Sequence, residues 1–341
     1  MHYKVTIAIP VFNTEPFIER CLTSALNQSF PNIEYLLLDD CSTDNTLEII
    51  EKILEKSPRR DDVTLIKNEV NIGIGAIRDY VFKVFKGDYL FFLDGDDELF
   101  SNSIEMLYNH TSDSEVDIVI GSIKFTDKAN EGRDGNWFMS NLVSNNPSKL
   151  FFKDRFYPMT WNKLYKRSLI VSNGISCIST NQEDEIISMQ LFMYAKKVIS
   201  VSEVSYKYYF RSNSLSNKMK SENFFSYGLS IEYLQELKSR FFDHPYYVSY
   251  LQYVYNIQYL MFWRLKRSNL VSENEKEQLS KKLLNPFLTF DEIIRLKSSI
   301  IIKAKFFLIF LPESVLFFLQ NNFSSFFRKL KEKKKKLNTN K

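Results

Sequence analysis

Short apolar runs alternate with amphipathic segments through the first 120 residues of the chain. Each apolar run stops at a proline, a turn residue or a charged residue, and the runs occupy 4–9, 35–38, 63–66 and 89–93. Segments with helical spacing lie between them, at 16–28, 46–56 and 74–86. Continuous apolar strands separated by helices are typical of a parallel sheet covered on both faces. We therefore predict an α/β fold with a mostly parallel, Rossmann-like sheet flanked by helices.

The pattern changes after residue 120. Residues 121–158 are rich in Asn, Ser, Gly and Asp and predict a long connection, whereas everything after residue 221 predicts helix. Between them we predict a packed element, one helix and two strands, at 160–170, 183–196, 198–205 and 206–210. These changes divide the chain into a first domain with two halves, a helical region and a distinct end, at 1–120, 121–215, 216–299 and 300–341.

Composition narrows the class of protein. A chain of 341 residues that is 44% hydrophobic and 25% charged can bury a core, which excludes disordered and fibrous classes. Three cysteines far apart, without a CxxC pair, favour a reducing compartment, and three isolated histidines disfavour a zinc site. The first apolar run lacks a cleavage-like site, and charges and Pro312 interrupt 300–319. We therefore expect neither a signal peptide nor a spanning helix.

The mild net charge of +4 conceals an uneven distribution. Residues 322–341 carry eight Lys or Arg and one Glu, or +7, which leaves −3 for residues 1–321. Nine of the 30 phenylalanines lie between Phe290 and Phe327. Aromatic residues followed by a basic run are typical of a helix on an anionic membrane surface. We predict that role for 300–341; the alternatives are a bundle helix with a solvated tail and a nucleic-acid-binding tail.

Acidic residues follow the second and fourth predicted strands. Asp39 and Asp40 end one strand, and Asp94, Asp96 and Asp97 end the other. The carboxyl ends of parallel strands meet at one edge of the sheet, where ligands bind. Three carboxylates within four residues repel one another unless a cation lies among them. The cluster therefore predicts a site for a divalent ion, with an exposed acidic turn as the alternative.

Four ordered segments resemble the family 2 glycosyltransferases, which have the GT-A fold. They read IAIPVFNTE, LLLDDCSTDNT, NIGIGAIRD and FFLDGDD, at 7–15, 36–46, 71–79 and 91–97. Each segment alone is a weak signal, but four in order are a specific one, and the resemblance covers about 3–215. The chain departs from the family at Asp79, where Asn is usual, and at Gly95, where Ser or Ala is common.

The resemblance implies roles for these residues. The loop after the first strand would hold the uracil and ribose of a UDP-sugar, with Asp40 accepting a hydrogen bond from the uracil imide. Arg78 would supply positive charge toward the nucleotide, and Mn²⁺ or Mg²⁺ would be the metal. The implied nucleotide-binding residues are Pro10, Val11, Asn13, Glu15, Asp40, Gly73, Arg78 and Asp94. The implied metal ligands are Asp94, Asp96 and Asp97.

A second acidic group, Glu183 and Asp184, begins a predicted helix. Acids there stabilise the helix dipole, which is the plain structural interpretation. The family resemblance implies instead that Asp184 is the general base, with Glu183 as the competing candidate. The neighbouring segments 161–167 and 208–216 also resemble bacterial surface-polysaccharide transferases. Trp161 and Cys41 are interpreted as packing residues, and the aromatic stripes of 224–262 as core or interface.

Taken together, the resemblance implies a metal-dependent inverting transferase. It would move a hexose, Glc or Gal, from a UDP-sugar to GlcNAc or GalNAc on undecaprenyl diphosphate, forming a β-glycoside of an O-antigen or capsule. The enzyme would be a peripheral protein on the cytoplasmic face of a bacterial inner membrane. It would not bind nucleic acid.

Other activities remain as alternatives. One is an N-acetylhexosaminyltransferase of the same kind. Another is a non-catalytic nucleotide-sugar-binding protein, which would not need both acidic groups. A nucleotidyltransferase would carry a Gly-rich loop with Arg or Lys after the first strand, which 10–15 does not have. A processive synthase would have membrane helices, which we do not expect here, and a Gln-x-x-Arg-Trp motif, which this sequence lacks.

Overall fold

A computed structural model describes residues 2–126, 135–137, 139–153, 158–210, 220–312 and 315–316, with only the backbone for 135–137. The chain divides into two compact units, Met1–Tyr246 and Tyr247–Lys341. Each unit is described by itself. The predicted boundary near residue 215 falls within 211–219, outside the described residues, and stays a prediction.

One mixed sheet organises the first unit. Its strands are β1 Val5–Val11, β2 Ile33–Asp39, β3 Val63–Lys67, β4 Tyr89–Phe92, β5 Glu98–Leu99, β6 Ile118–Thr126, β7 Gly135–Trp137, β8 Leu142–Ser144, β9 Lys163–Lys166 and β10 Val198–Tyr209. They lie in the order β3-β2-β1-β4-β9-β6-β10-β5, with β7 paired to β6 and β8 to β10. The first four strands are parallel, and β9 runs antiparallel to both β4 and β6.

Helices cover the sheet. In the first unit they are α1 Ile18–Leu26, α2 Thr46–Lys56, α3 Ile74–Val84, α4 Ser103–Tyr108, α5 Pro147–Lys153, α6 Arg167–Ser172, α7 Glu183–Tyr194 and α8 Ser221–Glu236. Every residue of β1 and β2 is buried, as a strand covered on both faces requires. The predicted α/β fold is confirmed. The parallel pairing holds for the first four strands, and the sheet as a whole is mixed.

The expected connection over 121–158 is wrong in part. Strand β6 continues through residue 126, and both β8 and α5 lie within the segment. The apolar run of β6 is interrupted by Gly121 and Ser122, which hid it in the sequence. A Cβ on Gly121 would lie 1.7 Å from Ser205 Oγ, so the interruption is what lets β6 approach β10 closely. The two strands predicted between 198 and 210 are one strand, β10.

The second unit is helical in its described residues. Its helices are α9 Tyr247–Arg267, α10 Glu273–Leu283, α11 Phe290–Arg295 and α12 Ile300–Phe307. Ser272 and Thr289 cap α10 and α11 in capping boxes. Tyr250 and Phe262 of α9 are fully buried, which confirms that these aromatic positions are core. Among the described residues, no helix is both long and apolar enough to cross a membrane.

Candidate active site

The loops after β1 and β2 bind each other through side chains. Asn13, whose φ of 50° is left-handed, accepts a hydrogen bond from Thr43 N at 2.8 Å, and its own N–H donates to Ser42 Oγ. Glu15 accepts hydrogen bonds from the backbone and side chain of Asn45 at 3.1 and 2.9 Å. The two loops therefore form one polar rim at the carboxyl edge of the sheet.

Two of the residues predicted for the nucleotide loop lie in the strand itself. Pro10 and Val11 are the last residues of β1 and are buried. Pro10 pairs in register with Leu38 of β2, and Val11 with Asp39. These two residues fix the point at which the chain leaves the sheet and enters the rim.

Asp40 fixes the segment that enters α3. Its Oδ1 accepts from Ile72 N at 2.8 Å and from Asn68 Nδ2 at 3.0 Å, and its Oδ2 accepts from Gly73 N at 2.8 Å. A carboxylate has about four acceptor positions, so the protein already uses most of them. The uracil-binding role of Asp40 stays a prediction.

The glycines at the start of α3 allow contact with another part of the protein. Gly73 has a φ of 86°, which favours glycine, and a Cβ on Gly75 would lie 2.1 Å from the Ile178 carbonyl oxygen. Asp79 reinforces this contact by accepting a hydrogen bond from Cys177 N at 2.9 Å, and it also pairs with Lys83. The negative charge that Asp79 adds is therefore engaged within the protein. Helix α3 thus holds the segment that leads into α7.

Arg78 joins the two predicted acidic groups. Its guanidinium, 2% exposed, donates to Asp94 Oδ1 at 3.0 Å and to Asp184 Oδ1, and it lies 3.2 Å from Glu183 Oε1. It also lies 5.4 Å from the centre of the Phe92 ring. The predicted role of Arg78, to supply positive charge toward the nucleotide, stays a prediction. In the structure Arg78 is buried between three carboxylates, which it brings together and partly neutralises.

The acidic cluster after β4 has the chemistry of a divalent-cation site. Asp94, Asp96 and Asp97 each offer a carboxylate oxygen, and these oxygens lie within 4.8 Å of one another. Asp97 is 1% exposed and accepts from Tyr206 Oη and Tyr209 N, both at 2.9 Å. Burial and the neighbouring Asp94 raise the pKa of Asp97. Oxygen donors in this arrangement fit Mn²⁺ or Mg²⁺, whose charge would offset the cost of burying the carboxylate.

The acids of α7 differ in their surroundings. Asp184 is 29% exposed on its side chain, and its Oδ1 accepts hydrogen bonds from Arg78, from Thr160 N at 2.9 Å and from Thr160 Oγ1 at 2.6 Å. Among the described residues, none donates to its Oδ2. Glu183 is buried, and burial raises its pKa. The partly exposed Asp184 is therefore the better placed of the two to meet a substrate.

The segment 161–167 carries a buried lysine whose contacts its sequence does not predict. Lys163 is 3% exposed and donates to the carbonyls of Met159 and Trp161, and burial lowers its pKa to about 7. Trp161 is buried and stacks on Tyr206 and Tyr208, with ring centres 4.6 and 5.3 Å away, which supports its interpretation as a packing residue. These contacts join residues that are distant in sequence, so the segment 161–167 by itself carries no signal of them. Within the related segment 208–216, residues 211–216 lie outside the described residues.

Comparisons with known proteins agree on the family. Residues 6–175 match the family model described as glycosyl transferase family 2. Over 214 residues the chain is 33% identical to a poly(ribitol-phosphate) beta-glucosyltransferase of Bacillus spizizenii, covering 61% of this chain and 32% of that protein. Over 229 residues it is 30% identical to a cholesterol galactosyltransferase of Borreliella burgdorferi, covering 64% and 63%. The aligned part thus spans less than two thirds of either relative.

The fold also matches a solved structure. Staphylococcus aureus TarS 1–349 in complex with UDP-GlcNAc has a TM-score of 0.54 and 20% sequence identity to this chain, and the match covers 90% of this chain and 79% of that one. At this identity the match shows the fold.

Proposed function

The chain carries a family 2 glycosyltransferase domain, and from that premise we propose that it transfers a hexose, Glc or Gal, from a UDP-sugar to a sugar acceptor on polyprenyl diphosphate. The observation that carries the proposal is the Arg78 link between Asp94, in the candidate cation site, and Asp184, the candidate base. A binding protein would not need to hold these two groups in one geometry. The glucosyl and galactosyl donors named for the two relatives support a hexose.

The proposed donor site uses the polar rim. Asn13, Glu15 and Asp40 would contact the uracil and ribose, while Gly73 and the segment beside it would close the side of the site. A divalent ion held by Asp94, Asp96 and Asp97 would neutralise the charge that develops on the departing UDP diphosphate. Arg78 would hold Asp94 in place rather than contact the nucleotide.

The proposed chemistry is a single displacement. Asp184 Oδ2 takes the proton of the acceptor hydroxyl, whose oxygen attacks the anomeric carbon as the bond to the UDP oxygen breaks. Because attack comes from the face opposite the leaving group, an α-linked donor gives a β-glycoside. Thr160 and Arg78 hold Oδ1 throughout, which leaves Oδ2 to accept the proton.

A panel of donors and acceptors tests the function. The full chain is incubated with Mn²⁺, each of UDP-Glc, UDP-Gal and UDP-GlcNAc, and a synthetic GlcNAc- or GalNAc-diphospho-lipid; poly(ribitol phosphate) is the second acceptor. We expect a hexosylated lipid with a β-linkage, identified by mass spectrometry and NMR. Turnover with UDP-GlcNAc alone would favour the N-acetylhexosaminyl alternative, which the UDP-GlcNAc complex of TarS supports. Turnover only on poly(ribitol phosphate) would replace the proposed acceptor, and no turnover with any pair would contradict the proposal.

Metal binding is tested without turnover. At about 100 times its Kd, Mn²⁺ should stabilise the protein by about 2.7 kcal/mol against unfolding, read as an upward shift of Tm. The Asp96→Asn variant should lose most of that shift. Asp113→Asn, which removes a surface carboxylate paired with Lys197, is the matched control and should keep it. Equal shifts in all three proteins would contradict the metal assignment.

We propose further that 300–341 lies on an anionic membrane surface at the cytoplasmic face. Residues 313–314 and 317–341 are outside the described residues, so the support comes from α12 and the sequence. Ile300 and Ile301 are 82% and 69% exposed, and Lys305 of the same helix is exposed. Exposed isoleucines beside a lysine are typical of an interfacial helix.

Flotation with vesicles tests this localisation. The full chain should float with vesicles containing phosphatidylglycerol and much less with pure phosphatidylcholine. An Ile300→Glu, Ile301→Glu double variant should bind less, while Leu270→Glu, which changes another exposed apolar residue of the same unit, should bind as the wild type does. Unchanged binding by the double variant would contradict a role for α12.

A further inference from the structure

A buried turn ahead of β9 supports the candidate base. Thr160 is fully buried and belongs to none of the predicted site motifs. Its N–H and its hydroxyl both donate to Asp184 Oδ1, at 2.9 and 2.6 Å. One residue therefore supplies two of the three hydrogen bonds on that oxygen. Charge-assisted hydrogen bonds of this kind are short and directional, so they set the orientation of the carboxylate.

The turn that carries Thr160 is itself fixed from several sides. The Lys163 amine donates to the carbonyls of the residues on either side of Thr160, and Tyr165 Oη donates to the Thr160 carbonyl at 3.0 Å. Asn162 has a left-handed φ of 58°, and its Nδ2 donates to the Gly121 carbonyl at 2.8 Å. Ser205 Oγ donates to Asn162 Oδ1 at 2.6 Å. These bonds tie the turn to β6, β9 and β10.

We propose that Thr160 is a positioning residue for Asp184. Thr160 and Arg78 hold Oδ1 and so restrain the orientation of the Asp184 side chain, which is 29% exposed, while Oδ2 receives no hydrogen bond from the described residues. Rigid placement of a reacting group is worth a large rate factor, because a displacement of about 1 Å can cost about 100-fold. The inference rests on the proposed function of Asp184 as base.

The chain offers a matched control. Thr6 is also fully buried, and its hydroxyl also donates to a carboxylate, Glu34 Oε2, at 2.6 Å. Thr6 lies near the start of β1, whereas the candidate site lies at the carboxyl ends of the strands. Replacing either threonine by valine keeps the shape and removes a hydroxyl-to-carboxylate hydrogen bond. Thr6→Val also removes the acceptor of the Gly87 N–H, at 2.9 Å, so it is the harsher change to the fold, although it lies away from the site.

The first test compares steady-state kinetics of Thr160→Val, Thr160→Ser and Thr6→Val. Thr160→Val should lower kcat by about 10- to 100-fold and leave KM for the UDP-sugar unchanged within about twofold. Thr160→Ser keeps the hydroxyl and should restore most of kcat. Thr6→Val should lower Tm and leave both constants near wild type. A kcat for Thr160→Val that matches Thr6→Val would overturn the proposal.

The second test is independent of turnover. In a crystal structure of Thr160→Val, the Asp184 carboxylate should rotate away from its wild-type position, whereas in Thr160→Ser it should not. An unmoved Asp184 in the valine variant would overturn the positioning role even if no substrate had been found. Absence of turnover in the wild type, by contrast, would count against the proposed function and leave this structural comparison to decide the role of Thr160.

Discussion

The two acidic groups of the site share Arg78 but differ in their other partners. At the start of α7, Glu183 and Asp184 face the buried guanidinium of Arg78, which supplies a full positive charge. After β4, Asp97 is held by a tyrosine hydroxyl and a backbone N–H, which are neutral. Burial raises the pKa of Asp97, so its ionised form gains most from a cation that binds there. The comparison teaches that Arg78 pairs with both acids of α7 and with Asp94 of the β4 side, whereas Asp97 is bound by neutral donors, which suits the β4 cluster to a metal.

The largest expected effect tests the α7 side. Asp184→Asn should lower kcat by about 10²–10⁴-fold, because an amide cannot take the proton of the acceptor hydroxyl. Glu183→Gln should reduce kcat less, since Glu183 is buried whereas Asp184 is partly exposed. Kinetics of both variants are measured with the Mn²⁺ shift of Tm as a check on the β4 side. Nearly full turnover by Asp184→Asn with intact metal binding would contradict the base assignment.

Breaking the link between the two groups should lower stability as well as activity. Arg78→Met leaves three carboxylates without their shared guanidinium, and removing one partner of a buried ionic group costs about 3–5 kcal/mol of unfolding free energy. Arg59→Met is the comparison variant, because its guanidinium binds three backbone carbonyls instead of carboxylates. Urea unfolding measures both. A loss for Arg78→Met no greater than that for Arg59→Met would show that the link contributes little.

The smallest expected effect is a pH dependence of the free energy of unfolding that comes from Lys163 of β9. Burial lowers the pKa of Lys163 from 10.5 to about 7, so between these values the unfolded chain binds a proton there that the folded protein does not. The free energy of unfolding of the wild type, relative to Lys163→Met, should therefore rise as the pH increases from about 7 toward 10. Urea unfolding at pH 6, 7.5 and 9 measures it, with Lys297→Met as the surface baseline. A difference that is constant with pH would contradict a buried amine that loses its charge.

The sequence predicted the first half of the fold well for a local reason. Each of the first four strands coincides with a mostly apolar run, and α2 begins and ends where the pattern predicts, at Thr46 and Lys56. Strand β6 escaped because Gly121 and Ser122 interrupt its run, and those residues are explained only by the approach of β10 some 80 residues later. The hydrophobic pattern along the chain therefore predicts strands and helices whose apolar positions recur without interruption. It does not predict residues whose identity is explained by packing against distant parts of the sequence.

The candidate site likewise has features that the sequence predicted and features that it did not. The strand-end rule placed Asp94, Asp96 and Asp97 in one cluster, and the structure brings their oxygens together. The burial of Arg78 and the hydrogen bonds of Thr160 could not be predicted. Both depend on contacts with α7, which follows Arg78 by about 100 residues. Arg78 and Thr160 meet their partners through tertiary contacts, which no motif spacing in the sequence predicts.

The contact at Gly75 has a mechanical consequence. With the Ile178 carbonyl 2.1 Å from where a Cβ would be, the gap between α3 and the segment entering α7 is narrower than one methyl group. Arg78, on the same helix, pairs with the acids at the start of α7, so a side chain at position 75 would push α3 away from the segment entering α7 and lengthen the distance from arginine to carboxylate. The closeness of α3 to the segment entering α7 is thus set by a residue that has no side chain.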